Sequence, residues 1–284
     1  MDENLIKHCN EEGIEFYLTD KYDLNDLKRC QKKSVQMMKT IVDIFEKYDI
    51  SYILAHGSLL GLIRHNSFIP WDDDCDLFVF DNDYARAIQL LRRFLPEGYI
   101  VHNKRTDSIY WPKWTKIRDE YSDTYESLWA IDRRFKYHGI CVDILKARVV
   151  DNKEMKQNAK KKIKRRRSKR IKKFNALPLK NKIFRLPIFL AGNVKDLFRN
   201  SKVAIKYIKN KTKCVGNEGT IIECEFNYDD VFPTKKMVFE GVEVAVPKNP
   251  EGVLTSMYGS FMELPPLEER KPHFDEVVFF DEEV

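Results

Sequence analysis

Apolar positions recur at helical spacing from about Asn25 to Tyr48, where Leu27, Ser34, Met38, Ile41, Phe45 and Tyr48 gather near one face. Asn25 reads as the N-cap, because its side-chain oxygen can accept a hydrogen bond from a first-turn N–H. The apolar run Tyr52–Ala55 predicts a buried strand, and Ser58–Arg64 a short helix behind it. Phe68–Trp71 reads as a turn, Cys75–Phe80 as the next strand and Tyr84–Phe94 as the next helix. Further strands are expected at Ile100 and Val101, at Thr115–Arg118 and at Ile140–Leu145, then a hairpin at Val238–Val246 and a helix at Pro250–Tyr258. Alternating strands and helices through residue 150 are the pattern of an α/β sandwich.

The alternation breaks between residues 151 and 215. From Lys153 to Lys173 there are thirteen Lys or Arg and one acid, Glu154. A more amphipathic stretch, Ile183 to Ile208, follows and is interrupted by Pro187 and Gly192. We therefore expect one domain, residues 1–150 with 216–284, carrying a basic helical insertion over 151–215. Across the chain, 50 basic and 44 acidic residues leave a net charge of only +6, so no global attraction to nucleic acid follows. The insertion also lacks interleaved aromatics or a nucleic-acid fold signature. With the amphipathic Ile183–Leu190 behind it, it fits better as a peripheral contact with an anionic membrane through 153–208. A solvated charged helix is the plainer alternative.

Hydrophobic residues make up 43% of the chain, which excludes wholesale disorder. Its longest apolar patch, around Leu186 to Ala191, is far shorter than the roughly 20 residues that span a bilayer. The acidic opening segment lacks the apolar stretch of a signal peptide. Six scattered cysteines form no C-x-x-C pair, which argues against a zinc site or a disulfide framework. Together these features point to the cytoplasm, with attachment at the inner face of the membrane.

Four acids occupy five positions at the start of the 75–80 strand: Asp72, Asp73, Asp74 and Asp76. Side chains alternate along a strand, so Asp74 and Asp76 point to one face. Carboxylates held this close raise each other's pKa unless a positive charge lies between them, and a hard divalent cation such as Mg²⁺ meets that need. Upstream, Gly57-Ser58 at a strand end allows close backbone approach, and a helix start there suits a phosphate. A solvated acidic turn is the competing reading. It explains Asp76, set among apolar neighbours, less well.

These residues resemble the LicD family. The likeness runs through His56-Gly57-Ser58-Leu59-Leu60-Gly61, Arg64-His65, Ile69-Pro70-Trp71-Asp72-Asp73-Asp74-Cys75-Asp76, Lys116-Ile117-Arg118-Asp119 and His138-Gly139-Ile140-Cys141-Val142-Asp143-Ile144. It returns at Phe239-Glu240-Gly241, Tyr258-Gly259-Ser260, Arg270 and His273. The resemblance implies an α/β (α+β) fold, a nucleotidyltransferase-like mixed sheet flanked by helices. It also implies transfer of a phospho-alcohol, phosphocholine first among them, from a CDP-activated donor to a hydroxyl of a surface glycan, which an acceptor on a lipid carrier would bring to the membrane.

On that basis Asp74 and Asp76 are expected to bind Mg²⁺ or Mn²⁺, and Asp143 to be a third ligand or the base for the acceptor hydroxyl. Gly57, Ser58, Arg64, Lys116 and Arg118 are expected to hold phosphate oxygens. His56, Trp71, Trp111, Trp114, His138 and His273 are candidate substrate contacts, with Tyr110 and Trp129 joining Trp111 and Trp114 as aromatic faces for a quaternary ammonium. Transfer of ribitol or glycerol phosphate, nucleotidyl transfer from a triphosphate, and a non-enzymatic basic binding module are the alternatives.

Overall fold

The computed structural model describes residues 5–126, 133–178, 213–216 and 223–280, together with 182, 185–187, 189–191 and 195–196. The chain divides into two compact units, Met1–Arg148 with Cys214–Val284, and Val149–Lys213.

The larger unit opens with a hairpin of β1 (Leu5–Cys9) and β2 (Glu15–Thr19), paired from Leu5↔Thr19 to Cys9↔Glu15. β1 is largely exposed, while β2 buries Phe16 and Leu18 in the core, a strand not among those expected from the hydrophobic pattern. The helix α1 (Leu24–Lys47) follows. Its N-cap is Asp23 rather than Asn25: the Asp23 carboxylate accepts from the N–H groups of Asn25 and Asp26 at 2.7 and 2.9 Å, and Asp26 caps Asp23 in return. A charged cap also complements the positive helix terminus, which is why it wins over asparagine here.

Next come β3 (Tyr52–Leu54), α2 (His56–His65), β4 (Cys75–Phe80), α3 (Asp81–Phe94), β5 (Tyr99–His102), β6 (Thr115–Asp119) and β7 (Ser122–Tyr125). β8 (Cys141–Val150) is the longest strand. After α4 (Asn152–Asn175) the unit resumes with β9 (Lys213–Gly216), β10 (Cys224–Asn227), α5 (Tyr228–Val231), the β11 (Lys235–Phe239) and β12 (Val242–Val246) hairpin, α6 (Pro250–Tyr258) and β13 (Glu276–Phe279). This is the mixed α/β sheet with flanking helices that the resemblance implies.

The main sheet has seven strands. Five run in the order β10-β9-β8-β4-β3, while β6 also pairs with β8, and β5 with β6. β4 is parallel to β8 and antiparallel to β3; β6 is antiparallel to β8. The strands that flank the acids are apolar and fully buried at Leu77, Phe78, Val79, Val142 and Ile144, and α1 packs Leu27, Met38, Ile41 and Phe45 into the same core. Burial of each such side chain contributes roughly 1.5–3 kcal/mol. Two small antiparallel pairs complete the unit, and one of them joins β7 to the remote β13 through Glu276↔Tyr125 and Phe279↔Ser122.

In the smaller unit, α4 is capped by Asp151, whose carboxylate accepts from the Glu154 N–H at 2.6 Å. Lys160, Lys161 and Lys164 to Arg167 are exposed along it. Phe174 stacks on Phe189 at 4.2 Å, and Arg170 pairs with Asp196. Ile183, Phe184, Ile188, 192–194 and 197–208 of the expected amphipathic stretch lie outside the described residues. No helix among the described residues is long and apolar enough to cross a membrane.

Gly139 shows how tightly the strands around the site are drawn together. A Cβ there would land on the carbonyl oxygen of Asp119 and 2.9 Å from that of Ser122. Both are backbone atoms with no freedom to move away. Gly139→Ala should therefore destabilise the protein by roughly 2–3 kcal/mol, read as a lower denaturation midpoint with unchanged slope.

Candidate metal and phosphate site

The site grows from the β4–β8 pairing. The parallel register sets Asp76 directly opposite Asp143, and Asp74 immediately precedes β4. Oxygens of Asp74, Asp76 and Asp143 lie within 4.8 Å of one another, a donor set suited to a hard divalent cation. Burial pushes Asp74 up to about 6, with His273 pulling the other way and Asp143 adding to the rise. Burial also drives Asp76 well above the usual carboxylate range, reinforced by the charges of Asp74 and Asp143. The three carboxylates are thus a negative cluster in search of positive charge.

Asp143 is held from the opposite side by β6. Antiparallel pairing places Lys116 across from it, and the Lys116 ammonium lies 2.8 Å from Asp143 Oδ1. The Trp114 indole N–H donates to Asp143 Oδ2 at 2.7 Å. Burial disfavours the Lys116 charge, but Asp143 outweighs it and holds Lys116 well above its ordinary value. Lys116 also lies 3.3 Å from the Cys141 sulfur, a neighbour that residue spacing did not suggest.

The Gly57-Ser58 pair sits inside the first turn of α2, not ahead of it. The first intrahelical bond runs from Leu59 N–H to the Ala55 carbonyl, so the N–H groups of Gly57 and Ser58 stand outside the helix's own ladder. The Ser58 hydroxyl accepts from the Asp76 N–H at 2.9 Å and so ties this helix terminus to the acidic strand. A Cβ at Gly57 would come to 2.5 Å from Asp72 Oδ2, so glycine is what lets the acidic loop close on α2.

The acidic run divides its work. Asp73 is fully buried and accepts from the backbone N–H groups of His273 and Phe274 at 3.3 and 3.0 Å, which fastens the segment ahead of β13 to the site. From α1, Gln31 and Ser34 donate to the carbonyls of Asp72 and Asp73. Burial and the Asp74 charge raise Asp72 to about 8. The His273 side chain is 59% exposed, and its Nδ1 lies 3.2, 3.7 and 3.9 Å from oxygens of Asp73, Asp72 and Asp74. Partial burial lowers its pKa, but the surrounding carboxylates, Asp74 foremost, win and hold it well above the ordinary value.

The other expected residues divide differently. Arg64 donates to the carbonyls of Phe261 and Glu263 at 3.0 and 3.3 Å and to His65 at 2.9 Å. Arg118 is buried and donates to the Gly139 carbonyl and to His102. Both guanidinium groups are thereby committed to backbone and ring partners. His56 packs its ring on Phe78, and burial lowers its pKa to about 4. His138 faces Asp123, with Nδ1 3.9 Å from Oδ1. Trp71 is buried against Phe16 in the core. Tyr110, Trp111 and Trp114 share one groove with Tyr84. Trp129 lies outside the described residues.

Glu126 was not visible as a site residue. Burial raises it to about 7, and the charges of Lys116, His273, Asp73 and Asp74 all act on it. It follows β7, whose partner β13 is remote in sequence, so no local pattern announces it.

Residues 49–185, which include all three carboxylates, match the family model described as LicD/FKTN/FKRP, nucleotidyltransferase domain. The chain is 27% identical over 254 residues to lipopolysaccharide cholinephosphotransferase LicD of Haemophilus influenzae, a match that covers 82% of this chain and 91% of that protein. A shorter match, 31% identical over 98 residues, joins 34% of this chain to 19% of human ribitol 5-phosphate transferase FKRP. The acidic strand and its Gly-Ser partner lie inside the matched residues, and over this domain the chain is similar to LicD-type transferases.

Proposed function

We propose that this protein transfers a phospho-alcohol, phosphocholine first among the candidates, from a CDP-activated donor to a hydroxyl of a cell-surface glycan. The observation that carries the reading is the convergence of Asp74, Asp76 and Asp143 beside the first turn of α2. Choline leads because the cholinephosphotransferase relative aligns over 91% of its length. The ribitol 5-phosphate transferase match covers only 19% of its protein, and keeps ribitol phosphate as the second reading.

Asp74 and Asp76 would hold Mg²⁺ or Mn²⁺, which supplies positive charge against the donor's phosphates, with Asp143 facing them as the base. The N–H groups of Gly57 and Ser58 at the α2 terminus, together with Lys116, bind and orient the phosphate oxygens. The acceptor oxygen bonds to the phosphorus that bears the alcohol. The bond from that phosphorus to the bridging oxygen breaks, and CMP leaves with the electron pair. Asp143, oriented by Lys116 and Trp114, takes the hydroxyl proton. Catalysis is then mainly positioning and charge stabilisation. Residues 1–150 and 216–284 form the catalytic part in this reading. The exposed cations of α4 favour peripheral contact with anionic lipid, where an acceptor on a lipid carrier would be within reach.

CMP release from CDP-choline with Mg²⁺ and a glycan acceptor tests the chemistry. Asp74→Ala with Asp76→Ala should reduce it on the order of 10³-fold, and chelation of the metal should abolish it. Release from CDP-ribitol but not CDP-choline would replace the alcohol. Silence with every CDP-alcohol, together with no binding of divalent cation, would sink the enzyme reading.

The raised carboxylates give a second expectation. A group whose pKa rises on folding contributes stability at low pH that is lost as pH climbs from the ordinary carboxylate value of about 4 through the folded value. For Asp74 and Asp72 that window closes at about 6 and about 8. Metal-free protein should therefore lose this contribution between about pH 4 and 8. Added Mg²⁺ should raise the melting temperature more at pH 8 than at pH 5, and a pH-independent shift would contradict the assignment.

A further inference from the structure

Beside the carboxylates lies a groove of about 710 Å³ between α3 and the 103–115 segment, within the size range of small-molecule sites. Its floor is aromatic, with Tyr110, Trp111 and Trp114 among the lining residues. Trp111 is 44% exposed and offers a ring to a ligand, while Tyr110 is fully buried. The Tyr110 hydroxyl is buried and has no hydrogen-bond partner among the described residues. Arg92, Lys104, Arg105 and Lys113 also line the groove, and no acidic residue does.

We propose that this groove binds the acceptor, and that the acceptor is an anionic carbohydrate, a sugar bearing phosphate or carboxylate. The assignment rests on the transferase reading above and names a substrate for it. An exposed indole face such as that of Trp111 suits the apolar face of a sugar ring. Four cations with no acid among the lining residues select negative charge on that ligand and disfavour choline, whose quaternary ammonium they would repel. The groove also meets the chemistry on the correct side. Trp114 both lines it and donates to Asp143 Oδ2, so an acceptor seated there brings its hydroxyl toward the carboxylate that takes the proton. In-line transfer places the attacking oxygen opposite the leaving group. A donor held at Asp74, Asp76 and the α2 terminus leaves the Trp114 side to the acceptor.

Calorimetric titration of the full chain tests this with glucose 6-phosphate, glucose and choline as groove probes, and with CDP-choline plus Mg²⁺ as the donor probe. Glucose 6-phosphate should bind at least about tenfold more tightly than glucose, with choline not detected. Arg105→Glu and Trp111→Ala, both at exposed positions, should each weaken glucose 6-phosphate at least about tenfold and leave CDP-choline binding within about twofold. Equal binding of glucose and glucose 6-phosphate, or no sugar-phosphate binding at all, overturns the proposal. A parallel loss of CDP-choline binding in Arg105→Glu also overturns it, by assigning the groove to the donor nucleotide. Sugar-phosphate binding needs no turnover, so absent CMP release from wild type would count against the transferase reading alone.

Discussion

The register between β4 and β8 is the constraint on which the rest of the site depends. Parallel hydrogen bonding sets Asp76 against Asp143, and the residue ahead of β4 brings Asp74 to the same place. Two like charges about 5 Å apart repel by roughly 3 kcal/mol at an effective dielectric of about 20. That is comparable with burying one or two large apolar side chains, and Leu77, Phe78, Val79 and Ile144 are all buried around the acids. The hydrophobic sheet therefore holds the carboxylates in an arrangement they would not adopt alone. A cation would relieve the same repulsion, so binding and folding pull in one direction once it is present.

Most of the surrounding polar groups serve to keep that cluster still. Gln31 and Ser34 grip the backbone of the acidic loop from α1, while Ser58 grips the first peptide of β4 from α2. Asp73 spends its carboxylate on the chain ahead of β13. As a result His273, far along the sequence, joins three aspartates from the open side. Lys116 and Trp114 each engage one oxygen of Asp143 and fix its orientation. A cluster so braced needs little rearrangement to meet a charged ligand, which is where electrostatic preorganisation is most effective.

The same bracing separates two kinds of surface. Toward α2 the cluster meets backbone N–H groups, and toward β6 it meets an indole that opens onto an aromatic, basic groove. In the transfer proposed above, a donor and an acceptor would approach one phosphorus from opposite sides, and the asymmetry around Asp143 offers two such approaches.

Much of this was legible in the linear chain. β4 and α6 have the expected bounds, β6 ends one residue later than expected, and α1 differs at its cap. Hydrophobic periodicity is a local property, and it reports elements whose apolar faces all point to one core. The acidic run beside Gly57-Ser58 was legible for a similar reason: four acids at the mouth of an apolar strand stand out against its hydrophobic pattern. What the chain could not show was which acid does what. Asp73 as a backbone anchor, Glu126 within the field of the Lys116 and His273 charges, and the commitment of Arg64 and Arg118 to carbonyls depend on pairings between segments remote in sequence, β7 with β13 and β6 with β8. Side-chain type set what each residue was able to bind. Strand register decided which partner reached it first, because hydrogen bonds and ion pairs act only over a few ångströms.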